Sequence, residues 1–500
     1  MSRTGQQVES IARNTAFAFA VRLTGTVFTA VLTIFLVRYF RPTEYGIFAL
    51  AMGVGALMTV PSDLGISMSA ARFVAELRGD RDSVAKVVAD AFRLKLVVGG
   101  IASIGLIALA GPIASAYGEP ELAWPLRILA LAVFGQSMML LWATIFEALG
   151  RISVYLRVVF AESAIETGLS IVIVLFGTGA TGAMVGRAAA YAFAAGFGLV
   201  LITRTIGRTV RPRRAGHGHA RRIAIYGSAL VIVDGAFTLF STIDVLLIGA
   251  ILTVADVGLF DAAYKLAGLL FFIGLPVRSS VAPRLARGAG GPDHEALETA
   301  LRYMVLLQGV ILAPLIVWAE PITRIVLGTD YLGSVDTLRA LAPFAWLAAI
   351  SPLLAGAANY LGAAARRVPI AIAAVVVNAA IDLALLGQIG IIAGAIGTDV
   401  AYALYVAAHL RLCRELAGLR LRPLVAPMLG SLAAAGGMAV VLLPFGTGEI
   451  AVPLVVVGGV LGVAVYAGIL MLTRQVTRQE LVAIGRRLRP ARGATPAGPG

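Results

Sequence analysis

The sequence predicts an all-α polytopic membrane protein of about 14 transmembrane helices, built as two pseudo-symmetric six-helix lobes plus two C-terminal helices. Three observations predict it: a succession of long apolar stretches, positive charge gathered in every second gap between them, and an internal repeat. Hydrophobic residues make up 59% of the 500 and charged residues 14%. Mean hydropathy is +0.90, far from the composition of a soluble domain.

A helix needs about 20 apolar residues to cross the roughly 30 Å hydrocarbon layer. On that measure the spans fall at 14–37, 45–66, 94–115, 124–149, 154–176, 180–203, 223–250, 258–282, 302–319, 339–363, 368–386, 388–410, 424–444 and 450–473. The cut between the eleventh and twelfth rests on Gly387 to Gly390. The first span lacks a small-residue cleavage site and reads as a retained helix.

Of the 41 Lys and Arg residues, 33 fall in the segments on the side of the N-terminus and 6 on the other, with Arg22 and Arg187 inside spans. Bases accumulate in cytoplasmic segments, so both termini are expected in the cytoplasm. The pI near 10.4 then follows from loops facing anionic membrane lipids, and no nucleic-acid partner is needed. Residues 72–93 alternate Phe73, Leu77, Val84, Val88 and Phe92 with five bases, a pattern expected to lie on the cytoplasmic membrane face. Leu481, Ile484 and Leu488 repeat the pattern in the tail. The single Cys413 excludes an internal disulfide and a cysteine metal cluster.

The break at 204–222 carries more bases than any other and divides six spans from six. The expected organisation is an N-lobe at 1–210, a cytoplasmic linker at 211–222, a C-lobe at 223–422, two further spans within 423–473 and a basic tail at 474–500. A shift of 212 positions superposes the halves: Glu44 falls on Asp256, Gly46 on Gly258, Phe48 on Phe260 and Arg72 on Arg284. Spans 1 and 7 start on the same side, so the repeat is parallel, and the substrate path is expected between the halves.

The run Arg41-Pro42-Thr43-Glu44-Tyr45-Gly46-Ile47-Phe48-Ala49-Leu50, followed by Asp63-Leu64-Gly65 and Arg72-Phe73-Val74-Ala75-Glu76, resembles the N-terminal signature of bacterial polysaccharide-biosynthesis flippases. These belong to the multidrug/oligosaccharidyl-lipid/polysaccharide exporter superfamily. Val257-Gly258-Leu259-Phe260-Asp261-Ala262-Ala263-Tyr264-Lys265 resembles the corresponding helix start in the second half. The resemblance implies two six-helix lobes around a central, V-shaped cavity that turns polyprenyl-pyrophosphate-linked oligosaccharides across the bacterial plasma membrane by alternating access. It further implies polysaccharide polymerase and glycosyltransferases as neighbours in the pathway. A cation-coupled small-molecule exporter of the same superfamily and a membrane enzyme of polysaccharide assembly stand as alternatives.

A charge at mid-span costs about 2.5–3.5 kcal/mol on insertion scales and usually has a partner or a function. Arg22 lies about 12 Å into the first span by helical rise, and the repeat shift places it on Asp234. With the resemblance, Arg22 is expected to bind the substrate's pyrophosphate in paired hydrogen bonds and Asp234 to be its partner or rival; a static ion pair is the structural alternative. Glu162 and Glu166 share a face of span 5, and Arg187 on span 6 lies about 6 Å from Glu166 in depth, which suits a structural Glu166–Arg187 bridge. Asp234, Asp244, Asp382 and Asp399 are C-lobe acids with few bases beside them. Asp382 and Asp399 come within about 5 Å in depth, with Asn378 one turn before Asp382, so a shared proton or a sodium ion is the expected occupant; protonated acids bonded to neighbouring helices are the alternative.

The chain has no nucleotide-binding loop, no His-Glu-x-x-His, no Gly-x-Ser-x-Gly and no metal-spaced His/Cys cluster. No cofactor and no catalytic residue are expected. The longest outer connection, between spans 9 and 10, has about 19 residues by the span limits above, too few for a large acceptor-binding loop.

Overall fold

The computed structural model describes residues 3–207, 218–269 and 294–476, leaving aside the side chains of 3–15, 218–220, 225–226, 228–230, 232–234, 269 and 360. Among the described residues all regular structure is helical. That is the form in which every backbone group finds its partner within its own segment, as lipid demands. The first half comprises α1 (Arg3–Tyr39), α2 (Pro42–Asp63), α3 (Ile66–Glu76), α4 (Arg81–Ala116), α5 (Ala123–Ala148), α6 (Ile152–Leu175) and α7 (Gly179–Ile206). The second comprises α8 (Gly218–Ile251), α9 (Val254–Leu269), α10 (His294–Gln308), α11 (Leu312–Val317), α12 (Ala319–Ile322), α13 (Val335–Ala340), α14 (Ala342–Ala348), α15 (Ser351–Tyr360), α16 (Val368–Ile389) and α17 (Ile392–Ala417). The chain ends in α18 (Arg422–Leu442) and α19 (Val452–Leu472), packed on each other and on α10.

Eleven helices among the described residues are long and apolar enough to cross a membrane, against the 14 expected. The other three expected spans fall on α8, whose apolar portion runs over Gly235–Ile251, on α9, which meets the edge of the described residues, and on α17, where Thr398, Asp399, Tyr402, Tyr405 and His409 dilute the apolar character. Residues 211–217 of the expected linker, the segment holding Arg284 and the amphipathic tail lie outside the described residues, while residues 218–222 of that linker form the first turn of α8.

The shift of 212 carries the end of α1, Tyr39, onto the end of α8, Ile251, and the start of α2, Pro42, onto the start of α9, Val254. It also carries the end of α5, Ala148, onto the end of α15, Tyr360, and lays α7 on α17 to within one residue at each end. The halves meet through the repeat itself. A Cβ on Gly46 would stand 1.8 Å from Val254 O, and one on Gly258 would stand 2.0 Å from Pro42 O. Only glycine at both positions lets the outer ends of α2 and α9 touch backbone to backbone.

Side chains bind this outer seam as well. Tyr45 Oη donates to Asp261 Oδ2 at 2.9 Å, and Lys265 Nζ bridges the same oxygen at 2.7 Å. Tyr331 Oη donates to Phe40 O at 3.2 Å, and the Arg38 guanidinium donates to Ile325 O. At the opposite end of α2, Leu64 and Gly65 turn through left-handed conformations (φ 45° and 68°). There a Cβ on Gly65 would lie 2.3 Å from Gly227 O, and one on Gly227 would lie 2.5 Å from Leu64 O. The Asp63-Leu64-Gly65 run therefore closes the inner seam. Asp63 itself pairs with the fully buried Lys95, which also donates to Ser137 Oγ at 2.8 Å.

One local expectation is corrected, and two regions gain detail. Residues 81–93 do not lie flat on the membrane face but form the first turns of α4, a helix of 36 residues and about 54 Å. Asp80 caps it by accepting from Asp82 N at 2.9 Å, and Val84, Val87 and Val88 pack in one buried cluster with Phe73, Trp142 and Phe146. The ninth and tenth spans are broken where Pro314, Pro343 and Pro352 interrupt the backbone ladder. The outer connection between them is wound into short turns that bury Thr323, Leu327, Tyr331 and Ser334.

Candidate functional site

Two buried polar clusters occupy the halves. In the second half, Asn378 and Asp382 lie four apart on one face of α16. Opposite them α17 presents Thr398, and α8 supplies Asp244. All four are buried: Asn378 and Asp382 are 0% exposed, Thr398 2% and Asp244 4%. The helices come this close because position 397 is glycine, where a Cβ would stand 2.4 Å from Asn378 Oδ1 and 2.5 Å from Asp382 Oδ1.

The polar atoms of the four residues lie within hydrogen-bonding reach of one another around Asp244, yet Asp244 Oδ1, both amide atoms of Asn378, both carboxylate oxygens of Asp382 and Thr398 Oγ1 close no hydrogen bond of good geometry. Buried polar atoms are normally satisfied, so six such atoms in one place form a polar set fit to hold a small ligand. Two acids with no base between them, an amide oxygen and a hydroxyl form the hard oxygen set that suits an alkali or alkaline-earth cation. An aromatic wall stands beside it: Phe240 lies one turn before Asp244, with its ring 4.9 Å from Tyr402, and Phe344 is 4.7 Å from Tyr402 and 5.0 Å from Tyr264.

Asp399 is not in this cluster. One residue past Thr398 it is turned about 100° around the helix, and its Oδ1 accepts from Phe344 N at 2.7 Å. It thereby satisfies an otherwise orphaned donor in the first turn of α14.

In the first half, Arg187 pairs with Glu166, lies over the Tyr191 ring at 4.9 Å and donates to Tyr191 Oη at 3.3 Å. Glu162 sits one turn before Glu166, 4% exposed, accepting from Ser163 Oγ at 2.9 Å. Arg22 is exposed on α1, and among the described residues it has no hydrogen-bond or ion-pair partner. It lies in electrostatic reach of Glu147 and Tyr155. Arg22, Thr26, Thr29 and Thr33, spaced four, three and four, form one polar face of α1, whereas Phe19, Leu23, Val27, Val31 and Ile34 expose a separate apolar one. Asp234 lies on α8, but its side chain is outside the described residues. At the inner seam, Leu64, Ile66, Leu94, Val98, Ala224 and Val231 line an apolar pocket of about 220 Å³.

Residues 35–336 match the family described as polysaccharide biosynthesis protein. The chain belongs to that family. The probable low-salt glycan biosynthesis flippase Agl15 of Haloferax volcanii is 23% identical over 198 residues, a match that spans 38% of this chain and 41% of that protein. Among solved structures, the lipid II flippase MurJ in an inward closed conformation superposes with a TM-score of 0.75 at 13% identity, covering 93% of this chain and 99% of that one. A multidrug resistance MATE family transporter of the MOP superfamily, inward-facing, reaches 0.64 at 15% identity, covering 78% of this chain and 95% of that one. At these identities the likeness is one of fold, and the fold is that of membrane transporters and flippases.

Within this family member the sequence reasoning missed Thr398 as a cluster residue and placed Asp399 in its stead. Asp244 stood among the acids without a partner. The usable signal for both was Gly397, because a glycine inside an apolar helix beside acids marks a close backbone approach.

Proposed function

We propose that the chain is a flippase for a lipid-linked oligosaccharide carried on a pyrophosphate, working by alternating access between its two halves with both termini in the cytoplasm of a bacterial cell. The observation that carries the reading is Arg22. An arginine inside a membrane span normally has a partner, and this one has neither an ion pair nor a hydrogen bond among the described residues. Its planar donors are therefore free for an anion, and pyrophosphate oxygens match them in pairs. Family membership and the flippase fold support the substrate class. Asp234, at the repeat-related position, is its proposed rival when the site is empty, and the polar face from Arg22 to Thr33 lines the proposed path.

Energy for the movement is assigned to a cation, proton or sodium, held by Asp244, Asn378, Asp382 and Thr398. The clustered oxygens of those residues support that role. Glu166–Arg187 keeps a structural part. The chain is read as a transporter rather than an enzyme, with polymerase and glycosyltransferases as partners in the same assembly line.

The test is a reconstituted assay that follows a labelled lipid-linked oligosaccharide between leaflets. Arg22→Ala abolishes flipping, and Arg22→Lys retains part of it, because lysine keeps the charge and loses the bidentate fork. Wild-type flipping by a well-folded alanine variant removes Arg22 from the site. Efflux of small cations with no glycolipid movement favours the exporter reading instead.

A further inference from the structure

We propose that Glu162 is a proton-binding site of the first half, distinct from the cation cluster of the second. The side chain is 4% exposed, and its Oε1 has no hydrogen-bond partner. Arg187 Nε, in the same cluster, is also unpartnered. Among the described residues, the charged and titratable groups around the site are Glu166 and Tyr155 on α6, Arg187 and Tyr191 on α7, Arg22 on α1 and Glu147 on α5.

Charge balance decides the occupant. Glu162 and Glu166 share a single buried cation, Arg187, which is bridged to Glu166, while the exposed Arg22 and Glu147 lie at the far end of the group, beside Tyr155. Both phenols are neutral. An ionised Glu162 would then be a buried charge without a counterion of its own, which costs several kcal/mol. A metal cation is a poor remedy, because it would sit beside a fixed guanidinium. A proton is the small remedy: Glu162 carries it as the neutral acid, and one guanidinium then faces one carboxylate, with no excess negative charge in the cluster.

The proton also has a way in and out. Glu147, at the end of α5, and Arg22 are exposed, and Tyr155 lies within electrostatic reach of both and of Glu162. On release, the O–H bond of Glu162 breaks, its proton passes to water along this track, and the electron pair stays on the carboxylate. That carboxylate then draws Arg22 away from any anion, so proton uptake and anion binding favour one another. This last step rests on the role proposed above for Arg22, whereas the proton site does not.

The experiment is infrared difference spectroscopy of the full-length protein in lipid nanodiscs, with the buffer stepped from acid to alkaline. A C=O band of a protonated buried carboxyl is expected, decaying as the buffer becomes alkaline. Glu162→Gln, isosteric with the protonated acid, removes that component, Glu162→Asp shifts it, and Asp382→Asn leaves it in place. A spectrum unchanged in Glu162→Gln overturns the proposal, and so does a Glu162 band indifferent to pH. Arg22→Ala, which abolishes flipping if the functional reading holds, leaves the band present, so failure of one reading is separable from failure of the other.

Discussion

The same helix crossing occurs in both halves, with opposite chemistry. The shift of 212 lays Glu166 on Asn378, Ser170 on Asp382, Gly186 on Thr398 and Arg187 on Asp399. In the first half a glycine lets the helices close: a Cβ on Gly186 would stand 2.6 Å from Ser170 N. In the second, the glycine stands one register earlier, at 397. Around this shared crossing the first half has an arginine as its own built-in cation, while the second gathers Asp244 and Asp382 with no base among the four clustered residues. The backbone of the repeat is kept and its electrostatics are inverted: one lobe pairs its acid internally, and the other keeps two acids side by side.

The harshest way to break this contrast is to remove the internal cation. Arg187→Ala leaves Glu166 buried without its partner, and loss of one member of a buried pair costs about 3–5 kcal/mol. Thermal unfolding in detergent is expected to register that loss, and Glu166→Gln added to it is expected to restore most of the stability. A double variant as unstable as the single one would mean that packing, not charge, makes the first lobe self-sufficient.

The second lobe should answer to an added cation. A ligand that binds only the folded state at about 100 times its Kd stabilises by about 2.7 kcal/mol, so sodium or acid is expected to raise the unfolding temperature of the wild type. Asp382→Asn is expected to lose that increment. Gly397→Val is expected to lose it without removing an acid, since its side chain would fill the space beside Asn378 and Asp382. Equal stabilisation of all three by sodium would erase the distinction between the lobes.

The smallest effect lies outside the membrane, at the cap of α4. The Ser83 hydroxyl, with the Ser83 and Asp82 backbone N–H groups, holds the Asp80 carboxyl below its usual range. A carboxyl with a lowered folded pKa contributes fully above its unfolded value and loses that contribution as pH falls through the lowered one. Asp80→Asn, which caps without titrating, is expected to flatten a slight acid-side decline in unfolding temperature. An unchanged slope would leave the cap with no part in acid sensitivity.

Much of this contrast was legible before any coordinates, for identifiable reasons. Hydropathy and charge alternation report on the bilayer, so the positions of most spans emerged directly. The Glu166–Arg187 contact was accessible because antiparallel neighbours fix relative depth. Asn378 and Asp382 were accessible because a spacing of four fixes a shared face. Asp399 was misplaced since depth carries no information about rotation, and one residue turns a side chain by about 100°. The breaks at Pro314, Pro343 and Pro352 fell inside runs whose apolar character continues across them, and hydropathy does not register a lost backbone hydrogen bond. Gly46 and Gly258 were matched as equivalent letters, but a superposition of sequences does not say that equivalents touch.

That contact has a consequence of its own. Position 46 meets 254 while 258 meets 42, which is the reciprocity of an isologous interface, the kind a two-fold axis generates between identical subunits. Here the axis runs inside a single polypeptide, and the two glycines flank it. A rotation of one half against the other moves atoms in proportion to their distance from its axis. The glycine pair at positions 46 and 258 is therefore placed to serve as a fulcrum for such a rotation, and its largest excursions would fall to the opposite ends of the helices, where Leu64, Gly65 and Gly227 hold the halves together.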